Sequence, residues 1–354
     1  LETEMQRPFD LAAGPLFRAA LLRLAPDERL LSLGMHHAVA DEASLAIVEH
    51  EVRALYDAFA AGLPSPLGGA PVQYADFALW QREMLEEGEM DRQLAWWRER
   101  MEGAVSVLDF PADLPRPAVQ TWAGTSTRAR LDPAVRGRLM ALARQEGATP
   151  FMMLLALWQL LLGRIAGEED VVVGTPVTGR TDETEGTVGF FVNTLALRAE
   201  LTGNPSFRGF LRRVRDMVQG AFAHPDIPLE RLLEALPLER DASRPPLFQT
   251  MFVLAGTSAV PAAAGLGGAS SSTSSAAWQR VPVSLGFARY EMTLLTLDAG
   301  ERGVELELDY AVELFSPGAA RRILAQLVAL AESVAADPDV PVADAVLLPA
   351  DELH

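Results

Sequence analysis

Two of the chain's five histidines, His36 and His37, stand side by side in the segment MHHAVADE at residues 35–42. An imidazole changes charge near neutral pH, so a histidine on a turn is equipped to take a proton from an amine or hydroxyl nucleophile. Two carboxylates follow at once: Asp41 lies four residues past His37, and Glu42 is its neighbour. At a helix start, Asp41 suits a capping and ion-pairing role better than that of a catalytic acid. Glu42 has two readings. It is a first-turn residue favoured by the helix dipole, or its carboxylate stands beside His37 as a second acid/base, able to help remove an α-proton and protonate a leaving β-hydroxyl.

The elements that must position these residues can be read from periodicity. The apolar run at 17–34 reads as a strand and residues 44–61 as an amphipathic helix, which puts the histidines on the connecting turn. Pro111, Pro115 and Pro117 break any helix and mark a bridge between two lobes, one over 1–115 and one over 116–337. The first lobe ends in a helix carrying Trp96 and Trp97. In the second, helices are predicted over 133–146, 150–165 and 317–336, and strands over 171–173, 192–201, 281–287, 292–297 and 304–310. Residues 255–277 are rich in Gly, Ala, Ser and Thr and read as a loop that builds no packed core. Residues 338–354 read as an extended linker towards a following domain. Trp80, Trp96, Trp97 and Trp158 lie at helical spacings and are expected in the core. His50 falls on the polar side of its helix, and His224, followed by Pro225, is expected to be structural.

Composition narrows the function classes. The 354 residues are 49% hydrophobic, enough for about two cores. There is no cysteine, which excludes a disulfide framework and thiol chemistry, and the scattered histidines give little basis for a metal site. A net charge of −18 argues against nucleic acid and anionic membrane as partners. No apolar run reaches transmembrane length, and a cytoplasmic setting fits. The basic cluster Arg212, Arg213 and Arg215 is either a solvated face or a landing site for an acidic partner.

The spacing HHxxxD is one of several motifs in a fixed order. RPFDL at 7–11 with GPL at 14–16 comes first, then YADFALWQ at 74–81, DVVVGTPVTGR at 170–180 and VGFFVNTLALR at 188–198. HPDIPLERL at 224–232 and RDASRPPLFQ at 240–249 complete the set. Together they resemble the condensation domains of nonribosomal peptide synthetases, in the chloramphenicol acetyltransferase-like superfamily, over essentially the whole chain. The resemblance implies an α/β (α+β) fold of two such lobes in a V-shaped pseudo-dimer, the first apparently truncated, because in the family a further segment precedes RPFDL. It implies amide-bond formation between a carrier-bound donor thioester and the α-amine of a carrier-bound acceptor. No cofactor is bound by the domain itself; phosphopantetheine is carried by the partner carrier proteins. Donor and acceptor peptidyl carrier domains and an adjacent adenylation domain are the implied partners.

Residue by residue, the resemblance makes His37 the group that meets the amine, His36 a residue that orients the turn, and Arg180 the partner of Asp41 in a buried pair tying the lobes together. Asn193 ties a strand backbone near the substrate tunnel, and Gly174 and Ser44 border that tunnel. Family members usually carry glycine after the motif's aspartate, whereas Glu42 stands there; a glutamate is associated with a dehydrating subfamily that eliminates water from a Ser- or Thr-derived residue on the donor carrier. Heterocyclising and epimerising relatives carry other motifs. A non-catalytic, carrier-binding scaffold is the third reading.

Overall fold

The computed structural model describes residues 4, 6–69, 72–86, 88–105, 107–238, 241–255, 278, 279, 281 and 286–348. The chain divides into two compact units. Unit 1 comprises Leu1–Glu87, Thr178–Val192 and Ser258–Leu285, and unit 2 comprises Gly88–Val177, Asn193–Thr257 and Gly286–His354. This division differs from the expected single boundary at 115/116, since residues 178–192, from the second half of the sequence, belong with the N-terminal segment.

In unit 1, β1 (Phe17–Ala25) and β2 (Glu28–Met35) form an antiparallel hairpin in which Phe17 faces Met35 and Leu21 faces Leu31. The sequence reading gave one strand over this run. Pro26 and Asp27, residues that favour turns, fold it back on itself. Two helices follow, α1 (Glu42–Ala60) and α2 (Tyr74–Glu86). The α1 start is fixed chemically: Asp41 is its N-cap and accepts the Ser44 amide, while the Ser44 hydroxyl receives the Asp41 amide.

Unit 2 is built on a six-stranded mixed sheet of β3 (Gly124–Leu131), β4 (Asp170–Thr178), β5 (Val192–Glu200), β6 (Thr250–Ala255), β7 (Met292–Asp298) and β8 (Val304–Ala311). The order is β3-β8-β7-β6-β4-β5; β3, β8 and β7 pair antiparallel, and β7, β6 and β4 pair parallel. The helices are α3 (Glu89–Met101), α4 (Pro133–Gln145), α5 (Pro150–Ala166), α6 (Phe207–Phe222), α7 (Leu229–Ala235) and α8 (Pro317–Ala336). The α5 sequence is apolar on every side, so the helix is buried on every side, with Met153, Leu155, Trp158 and Leu161 fully enclosed. Thr149 caps its start before Pro150, and Gly167 ends it at φ 72°, a left-handed conformation that costs glycine little. Trp158 donates its indole N–H to Thr250 at 3.1 Å, satisfying the one polar atom that the ring brings into the core.

Trp158 and Trp97 are core residues, but Trp80 is 46% exposed. Residues 338–346 are docked on unit 2 instead of running free: Phe207 N–H donates to the Val340 carbonyl, Val342 N–H to Pro205, and Arg164 to Val342 at 2.6 Å. The loop at 256–277, Arg240, most of the strand expected over 281–287 and residues 349–354 lie outside the described residues. Of that strand, Phe287 forms an isolated bridge with Ala123. Among the described residues no single helix is long and apolar enough to cross a membrane, and no group of three or more His, Cys, Asp or Glu residues could hold a metal ion.

Candidate functional site

The histidine turn leaves β2 and enters α1. His36 is anchored at the strand end, its N–H bonded to the Leu16 carbonyl at 2.9 Å, and its Nδ1 accepts the Ala38 amide at 3.1 Å. Its ring meets Phe9 edge-on. His37 is exposed, and its Nδ1 lies 2.7 Å from the Ala40 carbonyl oxygen. A carbonyl only accepts, so Nδ1 carries the proton and, in the neutral ring, the lone pair sits on Nε2. The same ring packs perpendicular to Phe190, with centroids 4.9 Å apart.

Beneath the turn lies a polar nest that is closed to water. Asp41 Oδ1 accepts from the Ser44 amide at 2.8 Å, the Ser44 hydroxyl at 2.7 Å and Arg180 at 2.7 Å, while Oδ2 accepts the Phe191 amide at 3.2 Å. The Asp41 and Arg180 side chains are 2% and 8% exposed. Burial pushes the Asp41 carboxyl up, but its hydrogen bonds to Arg180 and Ser44 and the guanidinium charge together outweigh burial and hold it below the usual carboxylate range. Asp41 is therefore held as the anion, with both of its oxygens engaged by donors. Arg180 Nη1 donates to the Thr184 and Thr187 carbonyls, and the guanidinium stacks over the Phe191 ring.

The expected Asp41–Arg180 pair is present, spanning residues far apart in sequence. Both partners belong to unit 1, so what it fastens is the loop at 178–192 onto the start of α1. Ser44, expected to border the tunnel, is fully buried and bonded to Gly189 as well as to Asp41 and Arg180. Gly174 is likewise buried, in unit 2, where the Phe248 ring occupies the space a Cβ would need. Asn193, also in unit 2, joins β5 to the segment before α7, donating to the Pro225 and Ile227 carbonyls at 2.7 Å each and accepting the Leu229 amide. Glu42 is the first residue of α1 and half-buried. His224 is structural, stacked on Trp96 at 4.4 Å with its Nδ1 on the Gly220 carbonyl.

Sequence reasoning passed over two residues at this site. Tyr74 opens α2 and donates its hydroxyl to the Phe190 carbonyl at 2.9 Å, and its ring fills the space beside Gly189 where a side chain would otherwise sit. Phe190 is the second. Each lies in a motif the sequence displays, but the motif does not say which ring turns towards His37.

The sequence profile described as Condensation domain matches residues 1–353. The chain is 40% identical to a subunit of Linear gramicidin synthase from Brevibacillus parabrevis over 335 residues, which are 94% of this chain and 6% of that protein. It is also 40% identical to Phosphinothricin tripeptide synthetase PhsC of Streptomyces viridochromogenes over 352 residues, 99% of this chain and 32% of that protein. The chain thus spans a minor part of the length of these relatives. Among solved structures it is similar to the X-domain from teicoplanin biosynthesis (TM-score 0.87, 25% identity, 98% of this chain and 78% of that one). It is also similar to the condensation domain from Monacolin K polyketide synthase MokA (TM-score 0.76, 26% identity, 95% and 76%).

Proposed function

The chain belongs to the condensation-domain family and has its chloramphenicol acetyltransferase-like α/β fold, and from that premise we propose that it works within a nonribosomal peptide synthetase as an acyltransferase joining a donor thioester to an acceptor amine. The observation that carries this reading is the His37 ring, exposed and held by its Nδ1 proton on the Ala40 carbonyl, with Nε2 left as a base. The acceptor nitrogen attacks the thioester carbonyl carbon, and a C–N bond forms. The amine proton passes to Nε2, the C–S bond breaks, and the same proton is handed from Nε2 to the sulfur as the donor's phosphopantetheine leaves as a thiol. His36, Asp41 and Arg180 keep the turn in place throughout. The substrates arrive on donor and acceptor peptidyl carrier domains, an adenylation domain is the neighbour that loads one of them, and phosphopantetheine belongs to the carriers. Tethering both reactants near one base makes the encounter effectively intramolecular, worth roughly 7 to 11 kcal/mol when alignment is good.

Glu42 supports a second reading. It is half-buried five residues from His37 on the same turn, where the resemblance would place glycine. As an acid/base beside His37 it would remove water from a Ser- or Thr-derived residue on the donor carrier: one base takes the α-proton, the β-hydroxyl leaves protonated as water, and a C=C bond remains. A third reading, a binding scaffold, is favoured by one structural relative, solved as a complex of the X-domain and OxyB from teicoplanin biosynthesis.

Intact-protein mass spectrometry separates the three. A donor carrier loaded with a peptide ending in Ser is followed with and without an aminoacyl acceptor carrier. Condensation predicts transfer of the unmodified peptide, reduced by about 10²- to 10⁴-fold in His37→Ala. Loss of water on the donor, independent of the acceptor and abolished by Glu42→Gly, establishes dehydration instead. Carrier binding with no turnover, unaltered in His37→Ala, overturns both enzymatic readings.

A further inference from the structure

We infer that Phe190 is a positioning residue for His37, held to that task by the hydroxyl of Tyr74; its kinetic consequence, though not the geometry, rests on the reading of His37 as the base. The backbone around Phe190 is gripped by side chains on both sides. The Gly189 amide donates to the Ser44 hydroxyl at 3.0 Å, the Asp41 amide to the Gly189 carbonyl at 3.1 Å, Tyr74 to the Phe190 carbonyl, and the Phe191 amide to Asp41. With the main chain fixed, the two aromatic rings diverge. Phe191 is buried against Tyr74, Phe77 and Arg180, and Phe190 stands perpendicular to the His37 imidazole, the planes crossing at 89°.

The contact matters because one hydrogen bond does not fix a ring. The His37 Nδ1–Ala40 bond holds a single point, and a half-turn of the imidazole replaces Nδ1 by carbon and loses it. An aromatic edge-on contact at 4.9 Å supplies a second point, so that the Nδ1–H tautomer and the direction of the Nε2 lone pair are set together. A neutral histidine side chain free in water favours the opposite tautomer, with the proton on Nε2. Phe190 and the Ala40 carbonyl hold the ring against that preference.

The test is the ¹⁵N NMR spectrum of the His37 ring nitrogens in the full chain, in which Nδ1–H and Nε2–H tautomers have distinct shifts. Wild type is expected to be mainly Nδ1–H. Phe190→Leu, which keeps apolar bulk and every backbone bond, should move the population several-fold towards Nε2–H, and Tyr74→Phe should move it the same way by less. In the transfer assay kcat should fall roughly tenfold in Phe190→Leu with KM little changed, because a misaimed base weakens the chemical step and not binding. Wild-type ring-nitrogen shifts in both variants overturn the inference. Where the leucine variant does not fold, the Tyr74→Phe spectrum decides alone. A tautomer change with no change in transfer rate upholds the positioning and overturns His37 as the base, so the two failures are distinct.

Discussion

Each unit encloses an arginine–carboxylate pair, and the two pairs behave oppositely. In unit 1, Asp41 receives four donors from three residues, and it is held below the usual carboxylate range. In unit 2, Glu291 is 1% exposed and has the two parallel bonds from Arg116, at 2.7 and 3.0 Å. There burial is the larger effect, and it pushes the Glu291 carboxyl up despite the guanidinium. The arginine contact is the fuller one at Glu291, two bonds against a single bond at Asp41, so what favours the Asp41 anion is the number of fixed dipoles aimed at it. An ion pair alone does not offset desolvation, whereas an ion pair reinforced by backbone amides and a hydroxyl does. Asp309, with Arg128 as its nearest counter-charge and Glu307 against it, marks the far end of this series: burial drives it up to about 7.

The comparison breaks first at Arg180. Arg180→Met leaves Asp41 enclosed without its cation and releases the Thr184 and Thr187 carbonyls, so urea unfolding should register a loss of about 3–5 kcal/mol. Adding Asp41→Asn should recover part of that loss. A single-variant cost below about 1 kcal/mol would mean that the amides and Ser44 alone hold the anion.

Glu291→Gln sharpens the contrast through pH. At Asp41 the folded carboxyl binds its proton less readily than the unfolded one, so its stabilisation is present above the unfolded pKa near 4 and is lost as pH falls through the folded value. At Glu291 the sign reverses: the contribution is fully present below the unfolded pKa and is lost as pH rises through the raised folded value. Glu291→Gln, costing about 1 kcal/mol in acid, should therefore approach or pass wild type as pH rises. Asp41→Asn should instead fall further behind wild type as pH climbs from about 3 to 5. Urea midpoints from about pH 3 to 7 check both, and slopes of the same sign would remove the distinction.

What the sequence made legible follows the same physics of local against distant partners. Helix α8 starts and stops where the sequence reading put it, and α4 and α5 fall within a residue of it, because capping residues and apolar spacing are local. The histidine turn was legible for the same reason. The Asp41–Arg180 pair was not derivable from spacing, since no periodicity connects residues in different segments; it came from the motif resemblance alone. The hairpin carries its own local signal, Pro26-Asp27-Glu28-Arg29, which is lost when residues 17–34 are read as one strand. The docking of residues 338–346 depends on carbonyls meeting Arg164 and the α6 start, and main-chain acceptors carry no sequence signature. Trp80 has core-type spacing on a helix whose face is left exposed, so tertiary placement overrode the pattern.

A pair with one partner in solvent lies at Glu146, where the basic cluster of α6 finds its partners. Glu146 takes Arg208 on one oxygen and Arg212 on the other, at 2.5 and 2.6 Å. Arg213 is spent on the Glu200 and Thr202 carbonyls, and Arg215 on the Glu146 carbonyl. The cluster is thus internal bracing between α4 and α6 as much as a charged face. Arg212 is 53% exposed, and solvent screens its attraction. Arg212→Ala should cost about 0.5 kcal/mol or less in urea unfolding, and less still in high salt, because Arg208 keeps the carboxylate paired. A loss several times larger would place this exposed pair in the same class as the enclosed Asp41 nest, and would show that donor number, not burial, sets what such a pair contributes.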